Sequence, residues 1–167
     1  ARHSKRVSKI STIWMRSLPN METKTLKIHF LGTGSASPNP QRSNSSLLLE
    51  FADNVVLVDV CGYPGQALPR AGISFEHLHD VILTHAHVDH IYALPSLLSS
   101  VASYDLGGEP KLLRLHGLPE TLDLARRLLT IFIDPSKSMR AVQLEYHPLA
   151  PVPYTNPDLH MDGWAIQ

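Results

Sequence analysis

The feature that most constrains this 167-residue chain is the heptapeptide Thr-His-Ala-His-Val-Asp-His at positions 84–90, which directly follows a short apolar run. His85 and His87 stand two residues apart, so on extended backbone both imidazoles project to the same side and can bind one metal ion. Asp89 and His90 offer a carboxylate and an imidazole to a second ion nearby, and zinc, manganese and iron all suit such ligands. The alternative is a solvated, histidine-rich loop. The strand-then-loop context favours the metal site.

Composition and charge place the chain among ordinary globular proteins of one domain. No apolar run reaches the roughly 18 residues that a membrane-spanning helix needs. Cys61 is the only cysteine, which excludes an internal disulfide and a zinc site built from several cysteines, and makes a reducing, intracellular compartment the default. Residues 1–20 hold five of the basic residues and no acidic one, so the remainder is about five units negative. That balance argues against broad electrostatic attraction to nucleic acid.

Residues 1–20 are rich in serine, arginine and lysine, which is typical of an organellar transit peptide. They can equally be sequence upstream of a start at Met21, or a tail without folded structure. We therefore exclude residues 1–20 from the fold and assign one domain to residues 21–167. We expect a cytoplasmic protein, or a mitochondrial or plastid one if the basic segment is a native leader.

The pattern of apolar residues predicts strands first, and then strands that alternate with helices. Two of the strands flank a hairpin turn at Asp53 and Asn54. A glycine-rich loop at 32–38 is not a nucleotide-binding P-loop, because no Gly-Lys-Ser/Thr follows it. This order of elements is typical of an α/β fold with a mixed sheet. The predicted strands are 27–31, 45–51, 55–60, 80–83, 111–116, 141–146 and 164–167, and the predicted helices are 64–71, 95–103 and a third from 119.

Three further positions carry chemistry that needs an interpretation. Asp59 ends a predicted apolar strand, where an unbound carboxylate is costly. It can hold a metal-binding histidine in orientation, or it can cap its own turn. His77 and His79 repeat the His-x-His spacing, but they lie in a polar connection, and we interpret them as a solvated turn. His116 ends another predicted strand, and we interpret it as structural.

Other segments accompany the motif at 84–90. They are Phe-Leu-Gly-Thr-Gly-Ser-Ala-Ser-Pro at 30–38, Arg42 with the Ser-Asn-Ser-Ser that follows, and Leu-Val-Asp at 57–59. Together these segments resemble the metallo-β-lactamase superfamily, and within it the ribonuclease Z-like branch, over residues 27–135. The resemblance implies an αββα sandwich with a mixed sheet, and a hydrolase that uses two divalent metal ions, usually zinc.

The resemblance also implies a role for each residue of the motif. By position, His85 and His87 would bind the first ion, and Asp89 and His90 the second. Asp89 is also the residue assigned to catalysis, and Asp59 would orient a ligand from behind. A metal-bound hydroxide would attack phosphorus in RNA, with a tRNA precursor cut at its 3′ end. Metal binding lowers the pKa of water from about 15.7 toward about 7, which supplies a nucleophile at neutral pH.

The chain departs from the ribonuclease Z pattern in two places. Residues 59–66 read Asp-Val-Cys-Gly-Tyr-Pro-Gly-Gln where that branch has Asp-Cys-Gly-Glu-Gly-Thr-Gln, and Val88, Ala93 and Ser96 stand where it favours glycine. A small phosphodiester such as a cyclic nucleotide is therefore an alternative substrate. A third hypothesis is a non-catalytic half-domain that acts as a binding or dimerisation module, although all four ligands of the motif are present.

The resemblance places three further ligands, two histidines and an aspartate that bridges the metals, after later strands. The late candidates here are His147, Asp158 and His160, and we retain His160 as a candidate ligand. We therefore expect the chain to be the first half of a longer sandwich. A sheet face left uncovered in such a half favours self-association, so we expect a homo-oligomer.

Overall fold

The computed structural model describes residues 25–37, 39–51, 54–104, 109–133 and 141–150. The expectations for residues 1–20 and for a strand at 164–167 lie outside the described residues, as do Asp158 and His160. No helix in the described part of the chain is long and apolar enough to cross a membrane.

Six strands form one sheet, and their order across the sheet is the same as their order along the chain. Strands β1 to β3 pair antiparallel as a meander, and β3 to β6 pair parallel. The predicted mixed sheet is therefore confirmed. The strands are β1 (Leu26–Gly32), β2 (Ser46–Phe51), β3 (Asn54–Val58), β4 (Leu78–Leu83), β5 (Lys111–Gly117) and β6 (Val142–Pro148).

Helices fill the connections between the parallel strands. Three of them begin with a proline in the first turn, where the missing N–H is not needed for an intrahelical bond. The α-helices are α1 (Pro64–Arg70), α2 (Val88–Ile91), α3 (Leu94–Ser103) and α4 (Pro119–Phe132), and a 3₁₀ turn spans Phe75–His77.

The core lies between the helices and one face of the sheet. Alternate residues of the central strands, such as Leu57, Val81 and Leu113, are fully buried on that face. They pack against α3 and α4, whose inward residues include Leu97 and Ala125. Burial of each large apolar side chain contributes roughly 1.5 to 3 kcal/mol. The same packing fixes the end of β4 from which the motif begins.

The opposite face of the sheet is the open face, and it is covered by no helix of the described residues. Its β1 side is apolar and exposed, with relative accessibilities of 54%, 52% and 68% for Leu26, Ile28 and Phe30. Its β4 and β5 side is charged. Asp80 accepts hydrogen bonds from the Arg114 guanidinium at 2.6 and 2.7 Å and contacts His116 Nε2 at 2.7 Å.

These contacts hold the pKa of Asp80 below its ordinary value, chiefly through the hydrogen bond from Arg114 and then through His116. His116 therefore has the structural role expected from the sequence, as a partner of a charged pair between neighbouring strands. The open face is thus apolar on its β1 side, whereas on its β4 and β5 side the charged groups pair with one another.

Two sequence predictions need adjustment. His79 lies within β4 rather than in the connection before it, and its Nδ1 is 3.2 Å from the Lys111 ammonium. Burial lowers the pKa of both groups. The predicted hairpin joins β2 to β3, but Asn54 is already the first residue of β3. Asp53 lies outside the described residues.

Candidate metal centre

The parallel pairing of β3 with β4 brings Asp59 and the motif to the same edge of the sheet. Val58 pairs with Ile82 in the register, and the Asp59 N–H donates to the Ile82 carbonyl at 2.8 Å. Because parallel strands end at one edge, the residues that follow each strand become neighbours. Asp59 and Thr84 are 25 residues apart in the sequence, and this pairing brings them into direct contact.

The motif runs from a loop into a short helix that the sequence did not predict. His85 lies in the loop after β4, and His87 has extended backbone and precedes α2. Asp89 and His90 lie in that four-residue helix. A single helical turn has too little apolar periodicity to be recognised from sequence.

His85 and His87 form the first donor pair. His85 Nε2 lies 3.0 Å from His87 Nδ1, and the ring centroids are 4.5 Å apart. Two ligands at about 2.1 Å from one ion stand roughly 3.0 to 3.4 Å from each other, depending on the coordination geometry. The separation of the two nitrogens therefore fits two ligands of one metal ion.

Asp89 and His90 form the second donor pair. His90 Nε2 lies 3.4 Å from Asp89 Oδ2, which is the spacing of two ligands around a tetrahedral ion. The His90 ring centroid is 4.1 Å from that of His85. The two donor pairs are thus adjacent, and the residues present fit two neighbouring divalent cations of the zinc type.

Each pair is only part of a coordination shell. Among the residues that the structure describes, no group of three or more His, Cys, Asp and Glu side chains converges on one metal position. A tetrahedral ion takes four ligands. An ion held at either donor pair would therefore need ligands beyond the two that the pair can supply.

Asp59 supports both pairs from behind. Its side chain is 7% exposed, and its Oδ2 is 2.6 Å from His90 Nδ1. The Thr84 N–H donates to Oδ1 at 2.8 Å, and the Thr84 hydroxyl lies within 2.9 Å of both carboxylate oxygens. Asp59 therefore binds Thr84 and His90 rather than capping its own turn. Its backbone is in the left-handed region at φ 58°, which Asp tolerates better than most residues.

Two pKa shifts describe the electrostatics of the centre. Burial, and then the neighbouring His90 and His87, lower the pKa of His85, so its imidazole is neutral and keeps a lone pair for a metal at neutral pH. Burial, and then the negative charges of Asp59 and Asp89, raise the pKa of Cys61 to about 11. The Cys61 thiol donates to the carbonyls of the 44–45 segment at 3.1 and 3.2 Å. Cys61 therefore stays a protonated, structural thiol.

Hydrogen bonds tie the loop after β3 to α2. The Val60 N–H donates to the His90 carbonyl at 2.7 Å. The Gly62 N–H donates to the Tyr92 hydroxyl at 2.7 Å, and this hydroxyl lies 3.4 Å from Asn44 Oδ1. Sequence reasoning did not identify Tyr92 or Thr84. The place of Thr84 as the first residue of the motif, and of Tyr92 two residues after it, was the only signal that could have suggested them.

His77 and His147 are placed apart from the two donor pairs. His77 is exposed in the 3₁₀ turn before β4. His147 lies in β6, where its Nε2 is 3.2 Å from Glu145 Oε2 and its ring packs 5.0 Å from that of His116. Neither contacts His85 or His90 by hydrogen bond or ring packing in the described part of the chain.

A cavity of about 460 Å³ lies between β1 and α1. Its walls include Asn44, Tyr63, Gln66 and Arg70, and it reaches Gly62. None of the residues of the motif lines it. We therefore assign no part of the metal chemistry to this cavity.

The chain is similar to several known proteins. The ribonuclease Z of Bradyrhizobium diazoefficiens is 39% identical over 101 residues, which are 60% of this chain and 32% of that protein. The structure is similar to human tRNase Z, short form, with a TM-score of 0.59 and 26% identity, over 75% of this chain and 46% of that one. It is also similar to the metallo-β-lactamase fold protein YhfI of Bacillus subtilis, with a TM-score of 0.55 and 19% identity, over 72% and 46% of the two chains. The last likeness shows the fold alone.

The sequence model of the family described as Anti-Pycsar protein Apyc1 matches residues 26–127, which is more than half of the chain. The chain belongs to this family. The predicted resemblance to the ribonuclease Z-like branch of the metallo-β-lactamase superfamily is confirmed by these likenesses, as is the α/β fold. This Apyc1-family chain spans about a third of the length of the ribonuclease Z that it matches and just under half of human tRNase Z.

Proposed function

We propose that this Apyc1-family chain is the metal-binding part of a metal-dependent phosphodiester hydrolase. One observation carries the proposal. A buried carboxylate, Asp59, holds His90 through Nδ1 at 2.6 Å, which leaves Nε2 directed toward Asp89. A histidine fixed in this way is typical of metal centres, where the nitrogen that does not bind the metal donates to a carboxylate.

Each residue has a defined task in this proposal. His85 and His87 would hold one divalent ion, and Asp89 and His90 the other, with zinc as the favoured metal. Bound ions of this kind lower the pKa of water and stabilise negative charge on phosphate oxygens. Asp59 orients ligands of both pairs, and α3 packs behind the motif against the sheet. Asp89 is the carboxylate that we assign to catalysis.

The leading candidate substrate is RNA, in particular the 3′ end of a tRNA precursor. The support is the similarity to a ribonuclease Z and to human tRNase Z. A small phosphodiester such as a cyclic nucleotide is the second candidate, and the charges favour it. RNA binding needs clustered basic side chains along a track, whereas residues 21–167 are together about five units negative.

The test uses the protein expressed from its complete reading frame. Metal content is measured by elemental analysis, and hydrolysis of bis(p-nitrophenyl) phosphate is measured with and without a chelator. We expect about two divalent ions per chain and cleavage that the chelator stops. The same preparation is then offered a tRNA precursor with a 3′ trailer and a 3′,5′-cyclic nucleotide, and the preferred substrate decides between the two candidates.

The contrary result would support a different class of protein. Less than one bound ion per chain, together with no chelator-sensitive hydrolysis, contradicts the enzyme. It favours the third hypothesis, a half-domain that binds a partner or dimerises.

A further inference from the structure

We propose that Thr84 is a positioning residue that sets the tautomer of His85, and so directs the His85 Nε2 lone pair to the first metal position. This inference rests on the proposed function for the assignment of His85 as a ligand. It adds a residue that neither the motif spacing nor the family likeness assigns a task.

The Thr84 hydroxyl lies at the centre of three polar contacts. It is 2.9 Å from Asp59 Oδ1, 2.8 Å from Asp59 Oδ2 and 3.0 Å from His85 Nδ1. The Thr84 N–H adds a fourth contact, since it donates to Asp59 Oδ1 at 2.8 Å. The side chain of Thr84 is thereby held between the buried carboxylate and the histidine that follows it.

The number of available protons decides which group donates in the hydrogen bonds of Thr84 with Asp59 and His85. An ionised carboxylate only accepts, so the single hydroxyl proton of Thr84 goes to Asp59. Toward His85 the same oxygen can then only accept. His85 must therefore carry its proton on Nδ1, which leaves the lone pair on Nε2. That nitrogen is the one that lies 3.0 Å from His87 Nδ1.

Asp59 thus fixes the tautomer of one histidine in each donor pair. It acts on His90 directly, through the contact between Oδ2 and Nδ1 at 2.6 Å. It acts on His85 only through the Thr84 hydroxyl. Removal of this hydroxyl should therefore release His85 and leave His90 unchanged, so the chain contains its own internal control.

The experiment compares Thr84→Val with Thr84→Ser in the protein expressed from its complete reading frame. Valine keeps the shape and the backbone N–H but removes the hydroxyl, whereas serine keeps the hydroxyl. Long-range ¹H–¹⁵N spectra of the metal-free protein, recorded at a pH where the imidazoles are neutral, distinguish the Nδ1–H and Nε2–H tautomers of each histidine. A zinc competition titration then measures affinity.

In the wild-type protein and in Thr84→Ser we expect both His85 and His90 as Nδ1–H tautomers. In Thr84→Val we expect His85 to shift toward the Nε2–H tautomer, which can donate to His87, while His90 keeps its proton on Nδ1. Zinc affinity at the first site should fall by about 10- to 100-fold in Thr84→Val, the usual loss when a partner behind a metal ligand is removed. Thr84→Ser should keep the wild-type affinity.

Three results would overturn the inference. They are an Nε2–H tautomer of His85 in the wild type, an unchanged His85 tautomer in Thr84→Val, and an equal change of His85 and His90, which would indicate general disorder. If Thr84→Val does not fold, the wild-type and Thr84→Ser spectra still decide. If the wild type binds no zinc, the proposed function fails, whereas the tautomers of the metal-free protein still test the role of Thr84.

Discussion

The backbone conformation of a single residue, Asp59, directs its carboxylate toward the motif at 84–90. Its left-handed backbone, at φ 58°, is of a kind that costs a non-glycine residue on the order of 1 kcal/mol or more. The Ser46 hydroxyl donates to its carbonyl at 2.9 Å, and its side chain accepts from Thr84 and His90. These bonds hold the conformation in which the carboxylate faces the motif.

Substitution of two histidines distinguishes the proposed metal ligands from the second His-x-His pair. In the proposed metal centre His85 binds the first ion, so His85→Ala should reduce hydrolysis to the chelator-treated background. His77 is exposed and stands before β4, so His77→Ala should keep activity near the wild-type level. Rates are measured with an activated phosphodiester at saturating zinc. Equal losses in the two variants would contradict the assignment.

The thiol of Cys61 should react slowly in the folded protein. Its pKa of about 11, against an ordinary 9.0, leaves roughly a hundredfold less thiolate at pH 8, and the thiolate is the reactive form. Alkylation by iodoacetamide at pH 8, followed by mass spectrometry, should therefore be at least about a hundredfold slower in the native protein than in urea. Rapid labelling of the native protein would show that the thiol is not held as described.

The raised pKa of Cys61 also makes the stability of the fold depend on pH. Between pH 9 and about 11 the folded state keeps a proton on Cys61 that the unfolded chain has lost. Folding is then linked to proton uptake, so the contribution of Cys61 to stability is full below pH 9 and declines as the pH rises toward 11.

At the residue scale, the sequence predicted the two donor pairs because the spacing of their residues within the motif is itself typical of metal ligands. It left two roles open for Asp59, since the target of its carboxylate depends on a backbone angle and on a strand pairing across 25 residues. The task proposed for Thr84 depends on contacts at the ångström level, and no pattern of residue types encodes them.

At the scale of elements, Gly32 is required where β1 meets the segment before β2. A Cβ at this position would lie 2.0 Å from the Asn44 carbonyl oxygen, which belongs to the backbone and cannot rotate away. Gly32→Ala should therefore lower the free energy of unfolding by about 1 to 3 kcal/mol. The measurement is urea or thermal unfolding.

Thr33→Ala is the matched control for this prediction. Thr33 is the next residue and is exposed, so its substitution should change stability by no more than about 0.5 kcal/mol. Equal stability of the Gly32→Ala variant and the wild type would show that the segment before β2 can move aside.

The sequence predicted most of the elements, because alternation marks the strands and prolines mark the helix starts. The predicted helix at 64–71 is observed as Pro64–Arg70, and the strand at 111–116 as Lys111–Gly117. Prediction failed at α2, which is one turn long, and at His79, which continues β4 although its side chain is polar. In both cases tertiary contacts, rather than local pattern, decide the conformation.

At the scale of the whole molecule, the open face of the sheet should drive self-association of the 167-residue chain when it is prepared alone. Leu26, Ile28 and Phe30 are each more than half exposed and stand on the same face of β1. Burial of each of them would contribute roughly 1.5 to 3 kcal/mol. We expect light scattering after size exclusion to show dimers or larger species.

A paired comparison tests whether the open face is responsible. Phe30→Glu places a charge on this face and should shift the chain toward the monomer. Phe132→Lys changes a similarly exposed aromatic residue, at 69% accessibility, at the end of α4 and should leave the association unchanged. A wild-type chain that is monodisperse, monomeric and melts cooperatively would contradict the prediction.

The identity of strand order and chain order has a consequence for biogenesis. Each strand pairs with the strand that precedes it in the chain, so no pairing has to wait for a strand that is made later. A chain that leaves the ribosome can therefore add one strand at a time to a growing sheet. The strands on both sides of β4 are complete at Gly117. The loop that carries the motif at 84–90 can accordingly be held in shape during translation, before any residue beyond α4 has been made.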